Sequence, residues 1–128
     1  MSSLDTLAFD NGFARLPETF HSRVRATPVP DPYLVCHSTE ALGLLGLDAD
    51  AIHHPELIET LAGNRLLPGM DPVAALYAGH LFGHYVPQLG DGRALLLGEA
   101  QAPNGPGWEI QIKGAGPTPY SRGGDGRA

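Results

Sequence analysis

The sequence holds one cysteine, Cys36, in 128 residues, so an internal disulfide is excluded. Within the apolar stretch Tyr33-Leu34-Val35-Cys36 the thiol is expected as a buried small hydrophobe without a chemical role. Long hydrophobic runs are also lacking, because Asp, His, Gly or Pro interrupts each one well short of a membrane span. The opening MSSLDTLAFDNGF has no basic region followed by an apolar stretch, so it does not read as a secretory signal, and a cytoplasmic location with no membrane partner is expected. Basic charge is scarce as well: 8 Lys and Arg face 14 Asp and Glu, for a net charge of −6. That balance disfavours a module that grips nucleic acid through a broad basic surface.

What is present describes a globular chain. Hydrophobic residues make up 42% and charged residues 17%, which argues against a disordered tail, while 17 Gly and 12 Pro require many turns between short elements. At this length the chain is one domain or part of one, able to bury roughly two thirds of its unfolded surface. The charges are unevenly spread. Residues 1–89 carry Arg15, Arg23, Arg25 and Arg65 against ten acids, whereas residues 90–128 carry Arg93, Lys113, Arg122 and Arg127 against four. The acidic excess is confined to the first part, and the Gly-rich last part could accept a small anion.

Residues 1–32 read as extended chain around a core, with a strand at Val24–Thr27, and Tyr33–His37 is strand-like. Ser38 is placed to cap a helix over Thr39–Leu47. His54-Pro55 opens a second helix that carries Leu57, Ile58 and Leu61 on one face and stops at Gly63. Asp71-Pro72 opens a third by the same logic, since Val73, Leu76, Tyr77, His80 and Leu81 recur at helical spacing. The character changes at Pro87: Ala94–Ala100 and Trp108–Lys113 read as an antiparallel hairpin around the turn dipeptide Asn104-Gly105, with Lys113 ending a strand on its polar face. The run Gly90-Asp91-Gly92-Arg93-Ala94 recurs as Gly124-Asp125-Gly126-Arg127-Ala128, 34 residues later. Nothing around the two copies matches, which argues against a solenoid; by analogy Arg127-Ala128 begins another strand, and a chain ending there reads as a fragment.

Three constellations could carry chemistry. Gly90-Asp91-Gly92-Arg93 precedes Lys113, with the lysine 21 positions after Gly92. Glycines admit backbone N–H groups to phosphate oxygens and a strand-held lysine adds a point charge, as in protein kinases, although spacing alone favours a tight hairpin turn and a solvated lysine. The run from Lys113 through Arg122 to Gly124-Asp125-Gly126-Arg127 clusters cations on permissive backbone, as a ligand-covering loop or an ordinary surface loop would. His80 and His84, four apart on the expected helix, could meet one metal, but no carboxylate or third ligand accompanies them and a packing role is expected. His53-His54 reads as a helix cap.

Several of these segments are recognisable together: Asn64-Arg65-Leu66-Leu67-Pro68-Gly69, Tyr77-Ala78-Gly79-His80, Phe82-Gly83, Val86-Pro87-Gln88-Leu89-Gly90-Asp91-Gly92-Arg93-Ala94, and Gln111-Ile112-Lys113-Gly114-Ala115-Gly116-Pro117-Thr118-Pro119-Tyr120-Ser121-Arg122. From about Phe9 onward the chain resembles the selenoprotein O family. The resemblance implies an α+β chain forming the N-terminal flank (1–86) and part of the nucleotide-binding lobe (87–128) of a protein-kinase-like fold, in a single truncated unit. It implies transfer of AMP from ATP to Ser, Thr or Tyr hydroxyls of protein substrates, with ATP held in the reverse of the kinase orientation and Mg2+ as cofactor. Gly90, Gly92, Arg93, Lys113, Asp125 and Gly126 would bind the nucleotide, Asp125 through a hydroxyl or amino group or by orienting a cation. The catalytic base and the metal ligands would lie downstream of Ala128, leaving no catalytic residue in this chain, and the fragment alone is expected to be inactive. Bacterial-type members are cytoplasmic and eukaryotic ones mitochondrial. The chain departs from the family pattern at Gly123, where a second arginine is expected beside Arg122, and at Leu81, where glutamine follows His80. Kinase-type transfer of the γ-phosphate and a non-catalytic nucleotide- or protein-binding module are the alternatives.

Overall fold

A computed structural model describes Leu4, residues 7–101 and residues 105–127. The chain is α+β, with two short α-helices and an antiparallel sheet. The strands are β1 (Phe9–Asp10), β2 (His21–Arg23), β3 (Val73–Leu81), β4 (His84–Gly90), β5 (Ala94–Ala100) and β6 (Trp108–Lys113), and the helices are α1 (Thr39–Leu44) and α2 (Pro55–Leu61). No helix among the described residues is long and apolar enough to cross a membrane.

Both helices form where capping chemistry directs. The Ser38 side chain accepts the Ala41 N–H at 3.2 Å to start α1, and His54 Nδ1 accepts the Glu56 N–H at 3.2 Å to start α2, with Pro55 in the first turn. Each ends in paired backbone bonds that close on a glycine of positive φ: Leu47 to Leu42 and Gly46 to Gly43 after α1, Asn64 to Glu59 and Gly63 to Thr60 after α2. Their apolar faces meet in a cluster of Leu4, Leu42, Leu47, Ile52 and Leu57. The helix expected to run to Leu47 ends at Leu44 because the Gly46 turn unwinds it.

The segment expected as a third helix is instead the longest strand. Val73 and Ala74 are fully buried, with Val73 paired to Arg23 of β2 and to Leu96 of β5. Asp71 does not cap a helix: its backbone N–H donates to Leu97 O at 2.8 Å, and its carboxylate receives Arg23 Nε and Nη2 at 3.1 Å each. The helical spacing of the apolar residues is overridden by partners on both edges. The strand turns back through Phe82-Gly83, with φ of 51° and 80°, the two positive angles of a two-residue hairpin turn. Leu81 then pairs with His84 and His80 with Tyr85, so the two histidines lie on neighbouring strands. Pro87 falls within β4, beside the register shift between Tyr77 and Gly79, where a missing N–H does least harm to the ladder.

The hairpin of β5 and β6 forms over the expected residues, with Leu95 opposite Ile112 and Ala94 opposite Lys113. Leu95, Leu97 and Ile112 pack with Ala74 and Ala115 in a second core beneath the sheet. Of the turn dipeptide expected between these strands, Asn104 lies outside the described residues. Two further expectations shift. The strand sought at Val24–Thr27 lies at His21–Arg23, and Val24 and Thr27 instead donate single bonds to Pro72 O and Ala115 O. Residues 33–37 form no strand; Tyr33 and Val35 are 80% and 83% exposed, and Cys36 is exposed rather than buried, because only Leu34 turns inward onto the helical core.

Candidate functional site

Strands β4 and β5 both run antiparallel to β3, β4 along its far half and β5 at Val73, so they lie end to end rather than as a hairpin. Between them Gly90-Asp91-Gly92-Arg93 forms a bulged loop. Asp91 anchors it at both ends of one residue: its N–H donates to Ala75 O at 2.9 Å, and its Oδ2 accepts the Ala75 N–H at 3.1 Å. The expected tight hairpin turn at this position is therefore an interruption in one long line of pairing on β3, and an interruption leaves backbone groups facing outward.

After β6 the chain returns over this loop. Thr118 Oγ1 donates to the carbonyl of Asp91, and Ser121 Oγ donates to the carbonyl of Gly92 while accepting the Thr118 N–H at 2.8 Å. Between these two hydroxyls the ring of Tyr120 lies against Gly90, where any Cβ would overlap it, and its hydroxyl meets Ser22 Oγ at 2.7 Å. Glycine at position 90 is thus demanded by an aromatic ring. The chain then turns through Arg122 and Gly123, with φ of 51° and 85°, closed by the Gly124 N–H donating to Ser121 O at 3.0 Å. Asp125 Oδ1 accepts the Arg127 N–H at 2.9 Å. Gly126, at φ 69°, sits against the Gly116 carbonyl, where a side chain would collide, and Arg127 bridges to Ala115. The analogy with the first copy suggested a strand beginning at Arg127-Ala128; Arg127 makes this single bridge, and Ala128 lies outside the described residues.

The two Gly-Asp-Gly-Arg runs, far apart in sequence, thereby face one cavity of about 680 Å³, within the size range of small-molecule sites. Gly90, Gly92, Arg93, Asp125 and Gly126 all line it. Leu81, Val86 and Leu89 of the β3–β4 hairpin and Tyr120 give it an apolar wall, while three arginines, Arg93, Arg122 and Arg127, line it with one acid, Asp125; Arg127 Nη1 also donates to Thr27 O at 3.4 Å. Among the described residues none of these three arginines forms an ion pair.

Lys113, the only lysine of the chain, does not line the cavity. It is exposed at the end of β6, opposite Ala94, and the next N–H, that of Gly114, donates to Arg93 O at 2.7 Å. The lysine is therefore tied by backbone to the cavity's rim, one position beyond it. The histidine pair falls on two strands rather than on one helix face. His80 packs edge-on to Tyr85 with ring centroids 5.6 Å apart, and among the described residues no three or more His, Cys, Asp or Glu side chains gather as a metal-holding group. Of the two departures from the family pattern, Leu81 falls on the cavity wall and Gly123 in the turn that carries Arg122. The hydroxyl clamp of Thr118 and Ser121 escaped the sequence reading, although serine and threonine spaced by two prolyl and aromatic positions in a loop commonly bind nearby backbone.

A cavity that joins an apolar wall to a cationic rim suits a nucleotide, and the relatives of this chain bear names of that class. It is 75% identical over its whole length to a protein nucleotidyltransferase YdiU of Thiobacillus denitrificans, and 52% and 53% identical over its whole length to proteins of the same name from Thioalkalivibrio sulfidiphilus and Myxococcus xanthus. Residues 3–128 match the family described as protein adenylyltransferase SelO, and the chain belongs to that family. It spans about a quarter of these relatives, 26% of each.

Proposed function

We propose that this chain supplies part of the nucleotide site of an ATP-dependent protein adenylyltransferase, which moves AMP from ATP to Ser, Thr or Tyr hydroxyls of protein substrates. The supporting observation is the convergence of Gly90, Gly92, Arg93, Asp125 and Gly126 on one cation-rimmed cavity, in a chain whose relatives are named nucleotidyltransferases. In this reading residues 87–128 belong to the nucleotide-binding lobe of a kinase-like fold and residues 1–86 flank it. The apolar wall takes the base, Arg93 and Lys113 neutralise phosphate oxygens, and the second oxygen of Asp125 accepts from a nucleotide hydroxyl or amino group.

Adenylyl transfer requires a hydroxyl oxygen to attack the α-phosphorus. The bond from that phosphorus to the bridging oxygen breaks, pyrophosphate leaves, and the hydroxyl proton passes to a base. Cations near the cavity therefore act best on the distal phosphates, where charge builds as pyrophosphate departs. Magnesium finds no ligand set among the described residues: Asp125 and Asp91 each have a carboxylate oxygen engaged by backbone, and no three or more carboxylate, histidine or cysteine side chains gather there. No step is assigned to the metal.

The test is transfer of AMP labelled at the α-phosphate by the intact protein. Arg93→Ala and Lys113→Ala are each expected to lower transfer by about tenfold or more, from the loss of one charge-assisted contact. Unchanged transfer in both variants would remove these residues from the site.

A further inference from the structure

We infer that Arg122 is a further anion-contacting residue of this cavity and that its ligand is a polyphosphate. The residue lines the cavity beside Arg93 and Arg127. It adopts φ 51°, a left-handed conformation that arginine does not favour and that glycine or asparagine would adopt at lower cost. A strained residue persists where its surroundings over-determine it, and here they do. Ser121, immediately before it, is held by the Gly92 carbonyl and the Thr118 N–H, and the Gly124 N–H closes the turn onto Ser121 O at 3.0 Å. The guanidinium itself forms no ion pair among the described residues. The fold thus holds the backbone on both sides of Arg122 against the first glycine loop and places the residue at the cavity, with no ion-pair partner among the described residues.

The charge count specifies the ligand class. Arg93, Arg122 and Arg127 oppose Asp125 alone at the wall, an excess of positive charge that a phosphoanhydride with several ionised oxygens would satisfy better than a singly charged anion. This deepens the nucleotide reading proposed above and rests on it for the identity of the polyphosphate as ATP.

The experiment titrates the intact protein and its Arg122→Asn and Arg122→Lys variants with inorganic pyrophosphate and, separately, with ATP, and records their thermal melting. Arg122→Asn is expected to weaken pyrophosphate binding about tenfold, the loss of one charge-assisted hydrogen-bonding group. Its melting temperature should stay at or above that of the parent, because asparagine tolerates the left-handed turn, and Arg122→Lys should recover part of the affinity. A residue that serves only folding would not separate affinity from stability in this way. Unchanged pyrophosphate affinity in Arg122→Asn overturns the inference, as does a melting temperature that falls together with affinity, or a parent protein that binds neither ligand. Pyrophosphate binding that depends on Arg122, without any binding of ATP, would keep the inference and defeat the nucleotide reading. ATP binding indifferent to Arg122 would do the reverse.

Discussion

Thr118 and Ser121 hold two consecutive carbonyls, those of Asp91 and Gly92, and by doing so fasten one glycine-rich run to the other. Both contacts are partly buried, so removing one hydroxyl leaves a carbonyl without its partner. Ser121→Ala is expected to destabilise the intact protein by about 1–2 kcal/mol, read as a lower urea midpoint at unchanged slope, while Ser121→Thr loses less. At this scale Gly90, Gly92, Arg93, Asp125 and Gly126, which line the cavity, stood out by residue type before their neighbours did. Gly90 was expected to admit a phosphate, and the neighbour it admits is the ring of Tyr120. A sequence displays that a position tolerates no Cβ; it does not display which atoms occupy the space. Asp125 is similar, since its local bond to the Arg127 N–H is a short-range habit of aspartate. Cys36 went the other way: flanked by apolar residues, it was expected inside, yet the segment turns only Leu34 inward.

Among elements, the β3–β4 hairpin is where periodicity misled. Val73, Leu76, Tyr77, His80 and Leu81 fit a helix as well as a strand, and Asp71-Pro72 imitates a helix start. Pairing with β2, β4 and β5 decides for the strand, and those partners are remote in sequence. The local signal that pointed correctly was Phe82-Gly83, whose glycine suits a two-residue turn. Phe82 is 99% exposed at φ 51°, so its side chain contributes no burial and its backbone is disfavoured. Phe82→Asn is therefore expected to stabilise the protein by about 0.5–1 kcal/mol, seen as a higher melting temperature. A helix through these residues would instead be weakened by asparagine. The elements that the sequence located well, α1, α2 and the β5–β6 hairpin, are those whose starts and stops are set by nearby capping residues or by strict alternation.

In the whole molecule, the chain builds a helical core and a sheet core, and Tyr120, packed against the sheet core, lines a cavity whose arginines all come from the last third of the chain. The sequence showed the acidic excess confined to the first part and the last part balanced, but not the pairing: the first part pairs Arg15, Arg23 and Arg65 with Asp10, Asp71 and Glu56, and the arginines of the last part have no such partners among the described residues. The recurrence of Gly-Asp-Gly-Arg was also visible, but its meaning was not. The two copies are not two repeats of a fold; one bulges out of the sheet, the other returns to bridge Ala115, and they come to line one cavity through long-range contacts such as Ser121 to Gly92 that a linear reading cannot supply. The central claim, that the phosphates are held so that AMP is the group transferred, is tested most directly by supplying the intact protein with ATP labelled at either the α- or the γ-phosphate alongside protein substrate. The account predicts that the α-label remains on the protein and the γ-label leaves with pyrophosphate. Retention of the γ-label without the α-label would contradict it and assign the site to kinase chemistry.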